Sequence, residues 1–301
     1  MSKVLISGSS GLVARELVSH LKKQDFQVAQ LSRRKVLNEY DTFHWDVEKE
    51  IVDAKALEGV DHIVHLAGAN IGDKRWTKSR KEEIINSRVD STRLLYKLVE
   101  KMKERPKSII SASAVGYYGA NTVDHIFTEK DPPSDDFVGK TCQLWENEVL
   151  KFESLGVNTI RLRFGVVLSP KGGALKKMLL PAKFGLGSAL GSGKQYLPWV
   201  HIDDVIRVII WCLKNGFKKE VYNVCSPQHI RYSSFAKTLS RVIRKPNFMP
   251  NVPAFIIKLL YGEMSQIILE GSRVSSLKLN KNGYIFKFPE LEFALSDLLK
   301  D

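Results

Sequence analysis

Apolar positions along the first two thirds of the chain follow two alternating rhythms. Lys3 to Ser7 (KVLIS) is a short apolar run that ends at glycine, and Leu12, Val13, Leu17, Val18 and Leu21 then recur at helical spacing. That pattern predicts strand, turn and helix. Phe26 to Ser32 and Thr42 to Asp46 read as a second strand and a weaker third, and Val60 to Leu66 (VDHIVHL) as a fourth. A long helical segment follows from about Thr77 to Met102, with Ile84, Ile85, Val89, Leu94, Leu95, Leu98, Val99 and Met102 on one face. Ser108 to Ser113, a helix over Phe137 to Phe152, and Val157 to Arg163 continue the alternation. Strands alternating with helices predict right-handed crossovers and a parallel sheet covered on both faces.

The rhythm changes after Gly165. Residues 169–197 hold six glycines (172, 173, 185, 187, 191 and 193), which predicts a mobile, loop-rich segment where binding residues collect. Trp199 to Ile202 reads as a strand, Asp203 to Lys214 as a helix capped by Asp203, and Val221 to Val224 as another strand. Helices are expected at Ser233 to Ile243, Pro253 to Glu270 and Pro289 to Leu299. The predicted class is α/β, a Rossmann-like doubly wound parallel sheet with a smaller α+β C-terminal lobe. The first domain would span 1–168, with 198–225 returning to it. Residues 169–197 and 226–301 would form the cleft and the second lobe.

The first turn, GSSGLVA, runs from Gly8 to Ala14. A GxxGxxG turn between strand and helix lets the backbone approach a pyrophosphate, whose charge sits on unpaired helical N–H groups. Gly8, Ser10, Gly11 and Leu12 are therefore candidate cofactor residues. Ala14 replaces the third glycine, whose role is close helix–strand packing, so one added methyl leaves binding intact. At the end of the second strand a carboxylate would favour NAD, but this chain has Ser32, Arg33 and Arg34. A guanidinium pairs with a 2′-phosphate, so NADP(H) is the expected cofactor. Trp45 and Asp46, at the end of the third strand, could flank an adenine, although a half-buried tryptophan is the commoner arrangement. Strand four ends in HLAGAN and strand five in SASAVGYYG. In a doubly wound sheet both strand ends face the ligand crevice, which adds Leu66, Ala67 and Gly68 to the cofactor set. Ser113, Tyr117 and Tyr118 are candidate hydrogen-bond donors to a substrate, and His65 reads as a packed histidine.

Composition narrows the partners. The formal charge of +13 raises nucleic acid, but lysines and arginines are spread along the whole chain without a groove-reading motif. The expected partner is an anionic small molecule, not nucleic acid. Three cysteines without CxxC spacing support neither disulfides nor a metal site. No run of 18 apolar residues or leader is present, so the expectation is a cytoplasmic protein without a membrane partner, either monomer or homodimer.

GSSGLVA, HLAGANIGDKRWTKSRKEEIINSRV, SASAVGYYG, DFVGKTCQLWE, LGSGKQYLPWVHIDDV and VPAFIIKLLYGEM together closely resemble the epimerase-like, atypical extended short-chain dehydrogenases, sugar-nucleotide epimerase family proteins with a small C-terminal domain of unknown function. The resemblance runs nearly end to end. It implies a Rossmann fold with an NADP(H) site and a substrate cleft between two lobes. The family's serine matches Ser113, but the positions of its Tyr-x-x-x-Lys pair hold Val138 and Cys142, and Arg88 stands where an asparagine often supports the proton relay. Arg88, Arg163 and His201 are candidate substrate residues. Two functions stay open: an oxidoreductase or epimerase with a non-standard acid/base group, Tyr117 or Tyr118 being the best-placed phenols beside Ser113, or a silent NADP(H)-binding regulatory protein.

Overall fold

The computed structural model describes residues 1–33, 40–216 and 218–300. Its first half is β1 (Lys3–Ser7), α1 (Leu12–Lys22), β2 (Gln27–Ser32), β3 (Asp41–Asp46), β4 (Ile51–Val52), β5 (His62–His65), α2 (Lys78–Glu100), β6 (Ser108–Ala114), β7 (Ile126–Phe127) and α3 (Phe137–Leu150). Then come β8 (Asn158–Phe164), β9 (Val166–Leu168), α4 (Gly173–Lys183), β10 (Trp199–His201), α5 (Ile202–Asn215) and β11 (Glu220–Val224). The chain closes with α6 (Tyr232–Val242), α7 (Ala254–Tyr261), α8 (Gln266–Leu269), β12 (Arg273–Val274), α9 (Leu277–Lys281) and α10 (Leu291–Leu298).

Eight strands form the main sheet in the order β11-β8-β6-β5-β1-β2-β3-β4. All neighbours run parallel except the β3–β4 edge pair. Successive side chains of a strand point to opposite faces. Val4 and Ile6 of β1 accordingly join Val64, Ile110 and Ile160 under α1 and α5. Leu5 joins Ile63, Ile109 and the inner residues of α2 and α3. The result is a doubly wound α/β sandwich, as the alternation predicts. The order reverses between β1 and β5, and such switch points open the ligand crevice at the strands' carboxyl ends.

A third core belongs to the C-terminal lobe, where Leu168, Leu175, Leu179 and Trp199 pack with Phe235, Leu239, Leu291 and Leu295. The glycine-rich stretch is not loop throughout. Leu175, Leu179 and Ala182 recur at helical spacing and bury one side of α4. The single helix expected over Pro253 to Glu270 is broken at Gly262, whose φ of 58° ends α7; a 3-10 turn then leads into α8. The short strands β4, β7, β9 and β12 have only two or three residues each and leave too little periodicity to read. No helix among the described residues is long and apolar enough to cross a membrane.

Candidate functional site

The glycine turn meets the requirements of a pyrophosphate cradle. Gly8 has φ of +73°, and a Cβ there would stand 2.7 Å from the Leu66 carbonyl oxygen and 2.8 Å from the Ala67 nitrogen. The turn closes with Gly11 N–H donating to Gly8 O at 2.8 Å. Gly11 caps α1 without a side-chain hydrogen bond, and the first turn carries no acid. Its N–H groups are left to a ligand oxygen, which the helix dipole also favours. Ser10 is exposed beside it, and Leu12 starts the helix close to where a Cβ of Gly172 or Gly173 would fall. The residues present therefore fit a dinucleotide.

Ser32 is buried at the end of β2 and Arg33 is exposed immediately after it. Arg34 lies outside the described residues. Trp45 is packed into the core, the commoner of the two arrangements expected for it. Asp46 accepts from Lys49 N–H at 3.2 Å, which ties one carboxylate oxygen into its own turn.

Deeper in the crevice the structure redistributes the expected roles. Ser113 and Asn223 flank Arg163 in register on adjoining strands. The buried Ser113 hydroxyl donates to Glu146 Oε1 at 2.7 Å. Arg163 Nε and Nη2 reach the two oxygens of the same carboxylate at 2.8 and 2.9 Å. Arg163 is thus a buried structural cation rather than a substrate-phosphate ligand. Burial works against its charge, but the Glu146 hydrogen bonds outweigh that and hold it above the ordinary arginine value. Tyr118 is also corrected. It is 1% exposed, donates to Asn223 Oδ1 at 2.7 Å and accepts from Arg163 Nη1 at 2.8 Å. With its proton given to Asn223 and its hydroxyl enclosed, it is removed as an acid/base candidate; burial also raises its pKa. Ser113 gives its proton inward and has none for a substrate.

Tyr117 differs. Its half-buried ring rests on the Arg163 guanidinium, 3.4 Å from ring centroid to Cζ, and its hydroxyl hydrogen goes to no described residue. Burial raises its pKa, against the pull of Arg163. The preceding Gly116 lies over Val138 and Cys142, at 3.5 and 4.0 Å from an added Cβ. Both are buried, and burial pushes the Cys142 thiol up to about 12, with the Glu146 charge adding to the effect. Val138 and Cys142 hold the places of the activating pair, and Lys140 is exposed to solvent, so among the described residues no lysine of α3 activates a phenol.

Arg88 on α2 brings a cation to this place. Nη1 donates to Ile84 O at 2.8 Å, the guanidinium lies 5.2 Å from the Trp145 ring, and a Cβ on Gly68 would meet it at 3.2 Å. It has no carboxylate partner among the described residues, and burial lowers its pKa. His201 is not a cleft residue. It is buried, caps α5 by accepting from Asp203 N–H at 3.0 Å, and stacks on Phe288. The ring nitrogen thereby takes the capping role expected of Asp203. Glu146, the centre of the polar network, was missed. In sequence it is one glutamate on an amphipathic helix, and only its contact with Arg163 of β8 marks it. No group of three metal-ligating side chains occurs among the described residues.

A switch-point sheet with Gly8 pressed against the Leu66–Ala67 peptide defines a Rossmann-like dinucleotide-binding fold. The chain belongs to the NAD dependent epimerase/dehydratase family, whose model matches residues 4–225. Within it, the end-to-end likeness is to the atypical extended short-chain dehydrogenases, and residues 252–298 match a domain of unknown function, DUF1731. Epimerase family protein YfhF of Bacillus subtilis is 36% identical over 301 residues, covering 99% of this chain and 98% of that one. The human epimerase family protein SDR39U1 (isoform 2), crystallised with NADPH, has a TM-score of 0.90 at 30% identity and 98% coverage of both chains. A nucleoside-diphosphate sugar epimerase from Corynebacterium glutamicum has a TM-score of 0.81 at 28% identity, with 99% of this chain and 58% of that one covered.

Proposed function

We propose that this protein is an NADP(H)-dependent reductase of the epimerase family acting on a small anionic substrate, with Tyr117 as its proton donor. The observation that carries this reading is the Tyr117 phenol, stacked on a buried guanidinium and without a lysine beside it among the described residues. Burial raises its pKa and outweighs the Arg163 hydrogen bond and the Arg163 and Arg161 charges, which pull the other way, so the phenol is neutral near pH 7. A neutral phenol gives a proton more readily than it takes one, which favours carbonyl reduction over alcohol oxidation.

NADPH, when bound, would supply the hydride for a carbonyl carbon. Tyr117 gives its proton to the carbonyl oxygen as charge develops there, and recovers it from water through its half-exposed edge. Gly8, Gly11 and the first turn of α1 would hold the pyrophosphate, Arg33 the 2′-phosphate, and Leu66, Ala67 and Gly68 the nicotinamide ribose. Arg88, a cation without a carboxylate, supplies donors for a substrate anion. The NADPH carried by the 30% identical human relative supports the choice of cofactor.

Silent cofactor binding is the second reading, favoured by the inward donation of Ser113 to Glu146. NADPH oxidation followed by absorbance across a panel of anionic aldehydes and ketones separates the two. Turnover that falls roughly 100-fold or more in Tyr117→Phe, with unchanged NADPH affinity, is the expected result. Turnover that Tyr117→Phe leaves intact would remove the phenol from the mechanism.

A further inference from the structure

The chain's cations are spread along it, but its carboxylates are not. Residues 154–202 and 221–262 hold thirteen of the 46 lysines and arginines and none of the 33 aspartates and glutamates. The rest of the chain is therefore balanced, and the whole formal charge of +13 resides in these two stretches. Much of both belongs to the C-terminal lobe, through α4, α6 and α7.

The same stretches carry an exposed apolar face. α7 reads AFIIKLLY, apolar all round but for Lys258, yet only Ile257 is buried. Phe255, Leu259 and Leu260 are 69%, 74% and 59% exposed. A helix of that composition is normally enclosed. Phe184 and Phe248, each 76% exposed, extend the face. Their segments run side by side: Asn247 Nδ2 donates to Gly187 O at 2.9 Å, and Gly191 N–H donates to Val252 O at 2.8 Å just before α7 begins. Lys183, Arg244, Lys245 and Lys258 are exposed among these residues, with no carboxylate within salt-bridge distance among the described residues. Lys183, Arg244 and Lys245 also line a groove of about 830 Å³ between α4, α6 and α10.

We infer that this face of the C-terminal lobe docks peripherally on an anionic lipid surface. Apolar side chains ringed by unpaired cations suit the boundary between headgroups and acyl chains, where Phe and Leu insert and Lys and Arg meet lipid phosphates. A second copy of the chain is the poorer occupant, because pairing two such faces would oppose the unpaired Lys183, Arg244, Lys245 and Lys258 of one copy to those of the other. The expectation of no membrane partner rested on the lack of a spanning segment, and a surface contact needs none.

Co-sedimentation of the full chain with vesicles of phosphatidylcholine, alone or mixed with phosphatidylglycerol, tests the inference. Binding only to the mixed vesicles, weakened by salt, is expected. It should fall about tenfold or more in Lys183→Glu/Lys258→Glu and in Phe255→Ser/Leu259→Ser. These positions are exposed, so NADPH affinity and melting temperature serve as controls for folding. No sedimentation at low salt, or sedimentation indifferent to both double variants, would overturn it. So would a concentration-dependent dimer, in analytical ultracentrifugation, that Phe255→Ser/Leu259→Ser dissociates. Displacement by polyglutamate, with the Phe255→Ser/Leu259→Ser protein unaffected, would instead mark an acidic protein as the partner and equally overturn it.

Discussion

The Ser113 hydroxyl donates its proton to Glu146, so the serine expected to face substrate faces the helix behind the sheet. Arg163 binds both oxygens of that carboxylate and carries the Tyr117 ring on its guanidinium. A charge buried inside α3 thereby sets the position of a phenol at the crevice.

Removing that charge should be costly. Glu146→Ala leaves Arg163 buried without its counter-ion, and breaking such a pair costs about 3–5 kcal/mol. Urea denaturation should show the loss. A change under about 1 kcal/mol would mean that water or another carboxylate takes the place of Glu146.

Arg88→Met should separate stability from binding. Burial already lowers the Arg88 pKa, so the folded protein disfavours this charge. Replacing it with an apolar side chain of similar length should hold or raise the melting temperature. The KM for an anionic substrate should rise roughly tenfold or more, by loss of charged hydrogen bonds. A lower melting temperature together with an unchanged KM would make Arg88 structural.

Arg33→Ala should narrow the preference for NADPH over NADH, by roughly tenfold to a hundredfold, through weaker NADPH binding alone. Fluorescence titration with both cofactors reads this directly. Equal affinities in the unmodified protein would remove the assignment.

His65 should make folding sensitive to acid. Its ring lies between Ser7 Oγ at 2.6 Å and Thr92 Oγ1 at 3.0 Å, and burial, with the Arg88 charge adding to it, lowers its pKa from the ordinary 6.5 to about 3. The unfolded chain binds a proton below 6.5 that the folded chain refuses. The contribution of neutral His65 is therefore present above pH 6.5 and is lost as pH falls from there towards 3. The difference in urea midpoint between the unmodified protein and His65→Gln should shrink over that window and stay flat above it. A constant difference would contradict the assignment.

The sequence by itself determined the doubly wound sheet, the cradle and the packed role of His65, because each rests on local spacing. Apolar alternation specifies which face of a strand is buried, and Gly8 and Gly11 fix a turn wherever the chain places it. The resemblance to the family's Tyr-x-x-x-Lys motif also located the gap, at Val138 and Cys142 of α3. Tertiary structure alone decided which polar groups remain free. Ser113, Arg163, Tyr118 and Asn223 lie on neighbouring strands or just beyond them but up to 110 positions apart in the chain. Their hydrogen bonds to one another and to Glu146 are satisfied only when the sheet assembles and α3 covers it. A buried polar group must find a partner, and that partner comes from the fold rather than from its neighbours in sequence. The network turns Ser113, Tyr118 and Arg163 inward and leaves Tyr117 at the crevice.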